Sequence, residues 1–204
     1  MALQDYYNDT DDVDDHEFFD DDTYFAQTFV ANQDYTITSV KLLIGWYVSY
    51  EPGTNVIVSI RATTDYLGIP ALGRIPTGDD LCSKSIACSS LPEYPDLISP
   101  PKTWTEITFD TPLALISGTE YAIVLRTDHP LSDIVWQKDA SDSYYTFGNY
   151  AFYNGIFWTS ILTDDFLFET YDSNVFSPPV SGPEITQVKR LVAAAADAIW
   201  YESI

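Results

Sequence analysis

Basic residues are scarce in this chain: nine Lys and Arg stand against 31 Asp and Glu, a formal net charge of -22. That balance repels phosphates and anionic headgroups, so nucleic acid and membrane surfaces are not expected as partners. Long apolar runs are missing as well. No stretch reaches the roughly 18 apolar residues that a spanning helix needs. Met1–Thr10 has neither the basic start nor the apolar middle of a secretory signal. Either a signal precedes this numbering, or the protein leaves its cell by another route, such as lysis by a virus. Histidine and cysteine number two each. His16 and His129 offer no ligand spacing for zinc. Cys82 and Cys88, in LCSKSIAC, leave two alternatives open. If residues 83–87 are extended, the sulfurs lie about 20 Å apart and cannot bond; if the segment loops back, a small disulfide ring forms.

Catalytic patterns are also missing. There is no G-x-S-x-G, and neither histidine sits in a triad context. Glycoside hydrolysis needs two carboxyls about 5–9.5 Å apart in a cleft, which spacing along a chain cannot select, so the many carboxylates read as solvated surface. The expectation is a protein without enzymatic activity and without a required cofactor.

Aromatic residues, in contrast, are abundant. Fifteen Tyr, eleven Phe and five Trp accompany a single Met in 204 residues, a composition suited to pleated, half-buried sheets. The chain is long enough to bury one substantial core. Period-two alternation marks strands over Tyr24–Val30, Tyr35–Trp46 and Asn55–Thr63, the last expected to be central in its sheet, and Glu51-Pro52-Gly53-Thr54 reads as a turn. A long excursion follows over Asp65–Asp80, with Leu81–Ser90 as a returning strand. Further strands are expected over Thr103–Phe109, Tyr121–Arg126, Ile134–Gln137 and Phe166–Tyr171. Asn154-Gly155 between apolar residues predicts a two-residue type I′ hairpin. Eight to ten short strands without an intervening helix argue for an all-β, antiparallel sandwich.

The segments Ala26-Gln27-Thr28-Phe29, Tyr35–Val40, Val58–Ala62, Pro76–Leu81, Trp104–Ile107 and Gly118–Val124 together resemble the jelly-roll modules of phage structural and bacterial surface proteins, of the "choice-of-anchor" kind. The resemblance covers roughly Thr23–Tyr171 and rests on strand order. It implies a jelly-roll β-sandwich and carries no site residues with it.

Three segments follow from this reading: an acidic N-terminal tail (1–22), a jelly-roll sandwich (23–176), and a Pro-rich linker with a C-terminal docking segment (177–204). The first tail is extended by self-repulsion, yet it carries apolar teeth. Tyr6, Tyr7, Phe18 and Phe19 are candidate anchors that insert into a neighbouring subunit, and Leu191, Val192, Trp200 and Tyr201 form a second docking element, read as strand rather than helix. Unpaired sheet edges accept such strands, and head-to-tail contacts build rings or filaments. The alternative is that both tails fold back on their own domain.

The expected function is therefore a structural subunit of an extracellular filament, fibre or virion, a homo-oligomer joined by donor-strand-like exchange. A carbohydrate-binding module is the alternative, with Tyr144, Tyr145, Tyr150, Tyr153, Phe157 and Trp158 as the sugar platform. Calcium is a candidate ligand of the Asp9–Asp22 tail, or of loops at Asp79, Asp80, Asp164 and Asp165. Asn8-Asp9-Thr10 is the one N-x-[ST] sequon, a candidate glycosylation site.

Overall fold

Alternating apolar residues along the chain fold into strands in the computed structural model, which describes residues 1–8, 15–19, 23–50, 52–94, 103–128, 132–140 and 145–172. The strands are β1 (Ala2–Tyr7), β2 (Asp15–Phe19), β3 (Thr23–Val30), β4 (Tyr35–Leu42), β5 (Ile44–Tyr50), β6 (Asn55–Asp65), β7 (Arg74–Ala87) and β8 (Glu93–Tyr94). They continue as β9 (Thr105–Leu115), β10 (Glu120–Thr127), β11 (Ser132–Asp139), β12 (Tyr150–Asn154), β13 (Trp158–Ile161), β14 (Asp165–Phe166) and β15 (Phe168–Asp172). Three short 3-10 turns are the only helical geometry among the described residues.

One sheet has the order β13-β12-β3-β10-β6-β7; a second has β1-β15-β4-β9; a third has β14-β11-β5-β8, with β2 also alongside β11. Every pairing is antiparallel except β5 with β8. The second and third sheets share strands that run on with a single break. β4 passes into β5 through Leu43, and β14 into β15 through Leu167. At these breaks β11 wedges in, its Gln137 N–H donating to the Leu43 carbonyl (3.0 Å) and its carbonyl accepting from Leu167 N–H (3.3 Å).

The main core lies between the six-stranded sheet and the other two, with Phe29, Ile60, Ile123, Leu42, Trp136, Phe166 and Phe168 fully buried. The six-stranded sheet is covered on its outer face too. Ala26, Ala122, Val124 and Ala151 are buried there beneath Tyr24, Ile75 and Trp158. Their smallness fits the close approach of the chain around Arg74, whose N–H donates to Asn149 Oδ1 (2.8 Å) and whose carbonyl accepts from Asn149 Nδ2 (2.9 Å). The same close packing explains Gly148, where a Cβ would run into the Thr28 carbonyl.

The all-β sandwich expectation is met, and several details of it are corrected. The strand expected over Tyr35–Trp46 is two strands in two sheets. Half of the excursion over Asp65–Asp80 is strand, because β6 and β7 extend as one long hairpin that turns only over residues 66–73. The hairpin at Asn154 is offset by one residue. Asn154 N–H donates to the Phe157 carbonyl (3.3 Å), so Gly155 and Ile156 are the central pair. Gly155 alone has positive φ, +85°, which is the type II′ rather than the type I′ pattern.

The largest correction concerns the N-terminal tail. Residues 2–7 and 15–19 are strands of the sandwich: β1 pairs with β15, and β2 pairs with β11. Self-repulsion among the tail carboxylates is offset there by backbone pairing and by buried partners for two side chains. The C-terminal segment of residues 177–204 lies outside the described residues.

Candidate functional site

β1 closes one edge of the β15 sheet, and its side chains reverse the hydropathic expectation. Leu3 and Tyr6 point outward, 41% and 43% exposed, whereas Asp5 and Tyr7 point into the protein. A register shift between Leu3 and Tyr6 in the β1–β15 pairing sets this inversion. Within this fold Tyr6 faces solvent and Tyr7 is buried.

Each inward residue is keyed by hydrogen bonds from distant strands. Asp5 Oδ2 accepts from Tyr35 OH (2.8 Å) and Oδ1 from Asn32 N–H (3.1 Å). The backbone of Asp5 donates to Thr170 Oγ1 (2.9 Å) and accepts from it (3.1 Å). Tyr7 OH donates to Asp139 Oδ2, and its ring lies 5.9 Å from that of Tyr145. Burial pushes the Asp5 carboxyl up to about 6 despite the hydrogen bonds from Tyr35 and Asn32. Desolvation, with the nearby Asp5 charge, pushes Tyr35 far above the usual phenol range. The Asp5–Tyr35 hydrogen bond is thus made by a phenol that keeps its proton.

A second buried carboxylate lies behind Tyr7. Asp165 is paired in register with Asp139 across β14 and β11. It accepts from Gln27 Nε2 and from Tyr145 N–H, both at 2.8 Å. Burial raises it to about 7, with the Asp139 and Asp164 charges adding to the rise. The strand slot of β1 is therefore lined by polar groups that fit this particular sequence. Asp5, Tyr35, Thr170 and Asp139 escaped sequence reasoning, because Asp5 looks like every other acid of the tail and its partners are scattered over the chain.

The other candidate residues disperse. Phe18 and Phe19 lie on β2, in register with Val135 and Ile134 of β11. Leu191, Val192, Trp200 and Tyr201 lie outside the described residues, as does Tyr144. Asn8, the sequon residue, is half-buried, and its Nδ2 donates to Glu169 Oε1 (2.7 Å).

The sugar platform is not a single exposed face. Tyr150 is buried in the core against Phe25 and Phe166, and Tyr145 packs edge-on to Phe168. Tyr24, Tyr153 and Trp158 form a transverse row over β3, β12 and β13. Tyr24 and Tyr153 stack on each other, with centroids 5.1 Å apart and planes 20° apart, so two of their ring faces are already covered. Of the five that are described, Phe157 alone is exposed, and Trp158 is half-buried.

Of the four acidic loop positions offered for calcium, Asp80 and Asp164 are paired with cations. Asp80 receives Arg61 Nε at 2.7 Å and Arg126 Nη2 at 2.5 Å. Burial alone would raise its carboxyl, and the hydrogen bonds from Arg126 and Arg61 more than reverse this, holding it below its usual value. Asp164 pairs with Lys138 at 2.7 Å. Among the described residues, no group of three or more His, Cys, Asp or Glu side chains is arranged to hold a metal ion; Asp9–Thr10, Asp11–Asp14 and Asp20–Asp22 lie outside them. Cys82 and Cys88 are free, buried thiols, since residues 83–87 are extended within β7.

No protein-family model matches the chain, and no curated protein matches it significantly.

Proposed function

We propose that this protein is a non-enzymatic structural subunit with a jelly-roll fold, which joins its neighbours in an extracellular filament, fibre or virion by exchanging its first strand. The observation that carries the reading is the β1 slot, a sheet edge filled by the chain's own first strand through keyed contacts at Asp5 and Tyr7. A bond that β1 makes to its own β15 can be made equally to the β15 of another copy. Exchange of an identical element is a low-cost route between subunits, and when each copy donates to the next the contact is heterologous and leads to rings or open filaments. The link from Tyr7 to β2 includes Asp9, Asp11, Asp12 and Asp14, whose mutual repulsion favours an extended link over a compact return.

The jelly-roll part of the proposal is supported by strand order. Take β1, β3, β4, β6, β7, β9, β10 and β15 as first to eighth. One sheet then reads first, eighth, third, sixth, and the other reads second, seventh, fourth, fifth, which is the wiring of two interlocked Greek keys. Strands β11 to β14 are an insertion before the last of the eight.

Electron microscopy and light scattering of the full chain test the assembly. Rings, filaments or larger particles that disappear on deletion of Met1–Tyr7 are the expected result. A monomer at every concentration and salt, or assemblies indifferent to that deletion, would remove the strand-exchange reading.

A further inference from the structure

The six-stranded sheet ends on β13, a four-residue strand whose edge lacks the bulge, proline and charge that commonly keep sheet edges apart. β13 pairs with β12 without a bulge, and Trp158–Ile161 contains neither proline nor charge. The uncharged stretch is much longer than the strand. From Ser143 to Thr163 no Asp, Glu, Lys or Arg occurs, the longest such run in a chain of net charge -22. The neighbouring turn of residues 66–73 is also uncharged, and its Gly73 lies against Ser160 and Leu162. Exposed apolar side chains flank the strand on both sides, Ile156 and Phe157 before it and Leu162 after it, at 80%, 54% and 48% exposure.

Hydrogen-bond directions along this edge follow from two contacts. Thr28 N–H donates to the Asn149 carbonyl, and Asn154 N–H to the Phe157 carbonyl. Because bonded and non-bonded pairs alternate in an antiparallel ladder, Phe157, Thr159 and Ile161 turn their backbone groups toward β12. Trp158 and Ser160 turn theirs outward, where no described residue bonds to them. An unpaired edge of this kind is a template for one more strand.

We infer that β13 is an interface between two copies of this chain, paired antiparallel with its own counterpart about a twofold axis at Thr159. The register is self-complementary. Setting Trp158 opposite the second copy's Ser160, and the reverse, lets each of the two pairs exchange both of its backbone bonds. The same register sets exposed Ile156 opposite exposed Leu162 of the other copy, at both ends. A second copy is the occupant that the charge distribution favours, because elsewhere two such acidic surfaces repel, and here there is no charge to repel. The contact is isologous and closed. It is independent of the β1 exchange, and in an assembly it would join one strand-exchanged chain to another.

The test uses the full-length protein in sedimentation equilibrium together with amide hydrogen exchange read residue by residue. The expected result is a dimer in which the Trp158 and Ser160 amides gain protection as concentration rises, while the protein carrying Tyr7→Ala dimerises equally well. Ser160→Pro removes an N–H that the fold itself does not use. Ile156→Asp sets a charge against the apolar Leu162 of the other copy, at an exposed turn where folding is not at stake. Each should weaken dimerisation by about tenfold or more. A chain that stays monomeric to millimolar concentration would overturn the inference. So would a dimer in which these two amides remain unprotected, or whose mass both substitutions leave unchanged.

Discussion

Two adjacent tyrosines show how much a single position decides. Tyr6 and Tyr7 are chemically equivalent in the sequence, yet one faces solvent and the other places its hydroxyl on the buried Asp139 carboxylate. Removing that hydroxyl leaves a buried acceptor short of one partner, a loss worth about 1–3 kcal/mol. Tyr7→Phe should therefore lower the free energy of unfolding by that amount, read from denaturant titration, and release β1 first, seen as faster exchange at the β15 amides it covers. Tyr6→Ser should stay within about 0.5 kcal/mol of the parent, as exposed positions do. Equal effects of the two substitutions would mean that β1 does not dock as described.

At the scale of elements, what could be read ahead was whatever alternation and turn chemistry record. β3, β6, β10 and the Pro52-Gly53 turn have both, and they fall where the pattern puts them, whereas β9 starts two residues later than expected and runs on to Leu115. β1 was hidden because its inward residue is an aspartate, so the alternation runs against hydropathy and only the partners Tyr35 and Thr170, far along the chain, make sense of it. The break at Leu43 was hidden for another reason: Leu42, Leu43 and Ile44 are all buried, and a continuous apolar run carries no mark of where one sheet hands over to the next. The hairpin at Asn154 was found, but its turn type was missed because Asn154 serves as a side-chain acceptor. Its Oδ1 accepts from the N–H groups of Ile156 and Phe157, each at 3.1 Å. Asn154→Ala should cost about 1 kcal/mol by losing these bonds. Gly155→Ala should cost about 1–2 kcal/mol through its positive φ. Urea midpoints check both effects: an Asn154→Ala variant as stable as the parent would mean that its side chain does not hold the turn.

For the whole molecule, stability should rise as the solution is made mildly acidic. Asp5 and Asp165 are held at about 6 and about 7, above the ordinary 3.8, because burial disfavours their charged forms. A carboxyl whose folded value is raised favours the folded state most when protonated. The contribution is complete below about pH 4 and is lost as pH rises through the folded values, each unit of elevation corresponding to ~1.4 kcal/mol. Asp80 and Asp164 act in the opposite sense, since their cation partners hold them below 3.8, and their contribution is lost only in stronger acid. Thermal unfolding should therefore give a Tm that is highest near about pH 4–5 and falls toward pH 8. Relief of the repulsion within a chain of net charge -22 has the same sign, and salt separates the two causes. Surface repulsion is screened by salt, whereas the cost of a buried carboxylate is not. A Tm decline that persists in high salt and flattens in Asp5→Asn and Asp165→Asn would assign it to the two buried acids around Tyr7. A decline abolished by salt alone would assign it to the surface, and β1 would then dock with equal strength across that range.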